Sequence, residues 1–65
     1  MTALSAREMQ VLRLVAAGTT NRLIGRALGI SPNTAANHVA RILRKTGAAN
    51  RTQAVSRARA GGLLD

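Results

Sequence analysis

Apolar positions recur along the chain at intervals of three and four and nowhere sustain the alternation at two of a strand, a pattern that predicts helices. The first helix opens at Leu4-Ser5-Ala6-Arg7-Glu8, where a hydroxyl stands three residues before a carboxylate in the spacing of a capping box, with Leu4 ahead of it as a staple. Met9, Val11, Leu12, Val15 and Ala16 follow at helical spacing, and Gly18 stands where a helix stops, so the expected span is 5–17. In this reading Glu8 is a cap and not a chemical group. Thr20 is placed as the N-cap of a short second helix over 20–28, with Ile24, Ala27 and Leu28 inward. The sharpest boundary is Leu28-Gly29-Ile30-Ser31-Pro32. Gly29 permits a positive φ, Ile30 plugs the turn, Ser31 caps, and Pro32 takes the first helical position, where its missing N–H costs nothing. A third helix is expected over 32–46, closed by Gly47, and a fourth over 50–60, opened by a second box of Asn50 and Gln53 and closed by Gly61-Gly62. Residues Gly61 to Asp65 read as tail.

The third helix is the most informative. One face carries Ala35, Val39, Ile42, Leu43 and Thr46, which suits packing; the other carries Asn33, Ala36, Asn37, Ala40, Arg41 and Arg44, which is slim, amide-bearing and basic. His38 falls at the boundary and is expected as a packed or capping histidine, with a phosphate contact as the less favoured role.

Composition then narrows the function. A chain of 65 residues makes one small domain, and the helical pattern gives an all-α fold, a four-helix bundle spanning 1–65. There is no cysteine, the acids are Glu8 and Asp65 alone, and His38 is the single imidazole, so neither a nucleophilic relay nor a metal site can be drawn without bringing distant groups together. The expectation is a non-enzyme without cofactor. The net charge of +8 points to a large polyanion as partner. Aromatic residues are absent, which removes the stacking platforms that single strands and many RNAs need, and duplex DNA becomes the leading partner. The longest apolar run is the four residues Leu14 to Ala17, far short of the ~20 that a membrane span needs. A cytoplasmic, nucleoid-associated domain with no membrane partner is expected.

Short helix, glycine-bearing turn and longer helix make a helix-turn-helix over Thr20 to Thr46, in which the second helix of the motif enters the major groove. Ala36 and Ala40 let that helix sit deep and are themselves expected among the base contacts. Asn37 in mid-helix demands a reason, and its amide matches the N6 and N7 edge of adenine; Asn33 and Arg41 complete the expected base contacts. Helix N-termini offer free amides to phosphate, which singles out Thr20, Asn21 and Arg22, then Ser31 and Thr34, then Arg51 and Thr52, with Arg44 and Lys45 added from the end of the third helix. Arg7, Arg13, Arg57 and Arg59 read as solvated face. The rival reading is a protein-interaction module, a helix-turn-helix that docks RNA polymerase or another regulator.

In order along the chain, L-S-A-R-E-M-Q-V-L-R-L-V-A-A-G, T-N-R-L-I-G-R-A-L-G-I-S, N-T-A-A-N-H-V-A-R-I-L-R-K-T-G and N-R-T-Q-A-V resemble the LuxR-type (GerE-like) helix-turn-helix domain of transcriptional regulators, from Leu4 to about Ala58. That resemblance implies a helix-turn-helix domain without a wing that binds duplex DNA, commonly as a homodimer. It implies a weak dimer contact through Ala54, Val55 and Ala58, and places Arg22, Arg51 and Thr52 near the phosphate backbone. The family's usual base-reading cation is replaced here by Ala36, and Ala40 stands where some members carry Lys. Leu23 replaces a usual Glu, Thr46 a usual Leu, and Gly25 a usual Ala; the last change is expected to loosen the second helix by up to about 1 kcal/mol.

Overall fold

The structure, a computed structural model, describes residues 3–64. It holds four helices: α1 (Ala6–Ala16), α2 (Asn21–Leu28), α3 (Pro32–Thr46) and α4 (Arg51–Ala60). Each begins where a short polar side chain accepts from the third amide ahead: Ser5 from Glu8, Thr20 from Leu23, Ser31 from Thr34 and Asn50 from Gln53. The Ser5–Glu8 box is complete, since the Ser5 amide also donates to Glu8 Oε1 at 2.8 Å. The second box is offset by one residue, because Gln53 Oε1 accepts from the amide of Ala49 rather than from Asn50. With their caps counted outside, the helices agree with the expected spans to within a residue at each end.

The core is aliphatic. Val11, Leu12, Val15, Ile24, Ala35, Val39, Ile42, Ala54 and Ala58 are buried together, and α3 packs against all three other helices. Removing a Leu or Ile side chain from water contributes about 1.5–3 kcal/mol, so Leu12, Ile24 and Ile42 carry much of the stability. Thr46 is also buried, and its hydroxyl is satisfied within its own helix by donating to the Ile42 carbonyl at 2.8 Å.

Three expectations are corrected. Ala27 is exposed: with Ile24 and Gly25 the buried residues of α2, it lies on the side away from the core. The segment after α4 is no free tail. Gly62 at φ +79° turns the chain so that Leu63 N–H donates to the Ala58 carbonyl at 2.8 Å, and Leu63 and Leu64 pack back on the core; Asp65 lies outside the described residues. The third concerns Gly25, which is a tight packing point rather than a weak one. A Cβ there would lie 2.6 Å from the Ile30 carbonyl oxygen and 3.3 Å from Pro32 N. The missing side chain lets the turn close directly on α2, and the Ile30 amide donates to the Gly25 carbonyl at 2.9 Å. Gly25 thereby sets how closely α3 starts against α2.

Candidate nucleic-acid interface

At 3.6 residues per turn, positions 33, 37, 40 and 44 lie two residues behind the core row 35, 39, 42 and 46, about 200° around the helix. The row opposite the core is thus Asn33, Asn37, Ala40 and Arg44, flanked by Ala36 on one side and Arg41 on the other. Asn33, Asn37, Arg41 and Arg44 are exposed, and Ala36 and Ala40 are half-buried. Neither asparagine amide is engaged by another described residue. All five residues expected to meet bases therefore share one accessible side of one rigid element, held from behind by Ala35, Val39 and Ile42.

The residues expected to meet phosphate fall into three groups. At the start of α3, the Ser31 hydroxyl donates to Thr34 Oγ1 at 3.0 Å while accepting the Thr34 amide, so both are exposed but mutually occupied. At the starts of α2 and α4, Arg51 ties two helix N-termini together: its guanidinium donates to Asn21 Oδ1 at 2.9 Å and to the Thr19 carbonyl. That brings Thr20, Asn21, Arg22, Arg51 and Thr52 into one neighbourhood, with no acid in the first turn of either helix. At the end of α3, Arg44 is exposed, whereas Lys45 turns aside. Its ammonium meets Glu8 Oε1 at 2.7 Å, and the carboxylate is nearly inaccessible. The Lys45 ammonium and the Ser5 amide outweigh burial and hold the Glu8 carboxyl at about 2, well below its ordinary 4.5. Glu8 is thus more than a cap, and the half-buried Lys45 is ion-paired with it.

The dimer contact expected from resemblance needs correction. Ala54 and Ala58 are 1% and 0% exposed because they fill the space between α4 and the core, and neither can form a surface. Thr52, Val55, Ser56 and Arg59 form one accessible strip of α4, which with Val15, Ala16, Thr19 and Thr20 borders an open groove. His38 is half-buried, and its Nδ1 is buried without a hydrogen-bond partner, so it packs and does not cap. Two features escaped the sequence reading. Arg26 is exposed one turn after Arg22, a cationic pair whose i, i+4 spacing was the available signal. Leu23, beside them, is 48% exposed and is the one large apolar side chain so exposed among the described residues. Glu8 being the sole carboxylate of residues 3–64 and buried, this surface offers cations and no side-chain acid.

Comparison with known proteins agrees with this fold. The family described as bacterial regulatory proteins, luxR family (GerE), matches residues 2–58. The chain is 52% identical over 52 residues to the transcriptional regulatory protein DegU of Brevibacillus brevis, covering 80% of this chain and 22% of DegU. It is 47% identical over 60 residues to the transcriptional activator protein PhzR of Pseudomonas fluorescens, covering 92% of this chain and 25% of PhzR. The crystal structure of the response regulator ChrA, from a heme-sensing two-component system, superposes with a TM-score of 0.91 at 39% identity, covering 98% of this chain and 32% of that one. The chain therefore spans a third or less of the length of each of these relatives.

Proposed function

The chain belongs to the luxR family of bacterial regulatory proteins, and on that premise we propose that it recognises specific sequences in double-stranded DNA, with α3 lying in the major groove, as the DNA-binding part of a transcriptional regulator. The observation that carries this reading is the outer side of α3, where two free amides and two arginines stand opposite the core with only alanines between them. A groove roughly 12 Å wide admits one helix, and Ala36 and Ala40 let the backbone approach. Asn33, Asn37 and Arg41 then meet base edges. Arg22, Arg26, Arg44, Arg51, Thr52 and the amides at the starts of α2 and α4 meet phosphates, and Arg51 also holds those two starts together. Two copies associate weakly through the groove beside Val55, which replaces the buried alanines as the pairing surface.

The test is binding to duplex DNA as a function of salt. With about five phosphates neutralised per copy, log K should fall against log salt with a slope near −4 to −5. Arg22→Ala should weaken all sequences alike, while Asn37→Ala should relax preference at one base pair at a cost of about 1–3 kcal/mol. Binding indifferent to salt, or an equal loss on all sequences for Asn37→Ala, counts against the placement of α3. A second reading, docking to RNA polymerase or another regulator, draws on the exposed Leu23 between Arg22 and Arg26. A partner retained after nuclease treatment and released by Leu23→Ser would favour it.

A further inference from the structure

The row of α3 opposite the core has a chemical character beyond being slim. Between Pro32 and Arg41 there is no Lys, Arg, Asp or Glu; opposite the core that stretch presents the amides of Asn33 and Asn37 and the methyls of Ala36 and Ala40, while the exposed Thr34 stands to one side, bonded to Ser31. The four base edges of the major groove differ in what they ask for. Guanine shows two acceptors, N7 and O6, and is best met by a cation; adenine shows an acceptor beside a donor and is met by an amide; thymine shows a C5-methyl and is met by an apolar group.

We propose that the half-site of this domain is centred on A·T pairs, with Asn37 paired to N6 and N7 of adenine and Ala36 and Ala40 in contact with thymine methyls, guanine reading being left to Arg41 at one edge. The alanines are readers here and not only spacers. A guanine set against either methyl loses water from N7 and O6 and gains no donor, so the same surface that accepts thymine disfavours guanine. Both asparagine amides are unengaged within the described residues, so pairing with a base breaks nothing in the fold. The inference rests on the proposed seat of α3 in the major groove and adds which base pairs that seat selects.

The experiment is selection of bound duplexes from a random pool with the 65-residue chain at stated salt, followed by single-atom changes in a selected duplex. An A·T-centred consensus is expected. Uracil in place of a central thymine, which deletes only the methyl, should weaken binding about fourfold, the worth of one buried methyl. In 7-deazaadenine one of the two acceptor–donor partners of the amide is gone, and binding should weaken by about fivefold. The uracil effect should vanish for Ala40→Gly, or for Ala40→Ser if the glycine variant loses its helical circular dichroism, and the deazaadenine effect should vanish for Asn37→Ala. A G·C-centred consensus, or a wild-type chain indifferent to both changes, overturns the proposal while leaving duplex binding intact. Failure to enrich any duplex, with the chain folded, overturns the DNA reading beneath it.

Discussion

Lys45 and Arg51 make an instructive pair. Sequence reasoning assigned both to phosphate, and both are tied into the fold by short contacts to residues 37, 30 and 32 positions away. Their electrostatic states nevertheless differ. Lys45 meets a carboxylate, and the pair it forms with Glu8 carries no net charge, whereas Arg51 meets an amide oxygen and a carbonyl, which orient a guanidinium without cancelling its charge. A hydrogen-bonded cation remains visible to a polyanion; an ion-paired one largely does not. One contact joins α1 to α3 as structure, and the other joins the starts of α2 and α4 while keeping a positive charge where phosphate would pass.

The contrast is open to tests of decreasing size. Lys45→Ala leaves the Glu8 carboxylate buried with only the Ser5 amide, and should destabilise the domain by about 2 kcal/mol, or roughly 8–16 °C in Tm. The salt slope of DNA binding should stay unchanged; a slope shallower by about one would mean that the pair opens on DNA and Lys45 reaches a phosphate. Arg51→Ala should cost about 1 kcal/mol of stability yet flatten the salt slope by about 0.9, the reverse balance. Acid titration separates the two links. The folded pKa of Glu8 lies below its unfolded value, so the Lys45 link contributes fully above about 4.5 and is lost as pH falls toward 2. Glu8→Gln should remove that acid-sensitive part of the unfolding curve, while Arg51→Ala should leave its shape alone. The smallest effect is expected for Asn21→Ala, which takes one of two acceptors from Arg51 and leaves the Thr19 carbonyl: about 0.5 kcal/mol in stability, with the salt slope intact.

What could be read beforehand follows range along the chain. Ser5, Thr20, Ser31 and Asn50 act on amides three residues ahead, and Gly29 and Gly47 end helices through bonds closed within one turn, so the boundaries were legible from residue type and spacing. The two faces of α3 were legible because periodicity alone divides them. The Glu8–Lys45 and Arg51–Asn21 contacts were not, since they depend on how helices dock. The same reason hid the burial of Ala54 and Ala58: small residues in a thin stripe read as a weak surface until another helix is seen to press against them. Gly25 is the clearest case of a local rule overruled. Propensity marks it as a weak point in α2, but the nearest atom to its absent Cβ belongs to the turn five residues on, so tertiary packing decides its worth.

The concealment of Glu8 has a consequence for how such a domain finds its target. With no acid of residues 3–64 facing solvent, approach to a duplex is attractive from nearly every angle, and the earliest encounter carries no information about sequence. On the proposed seat of α3, discrimination begins only after capture, as the molecule slides and turns until its amide-bearing ridge drops between the strands.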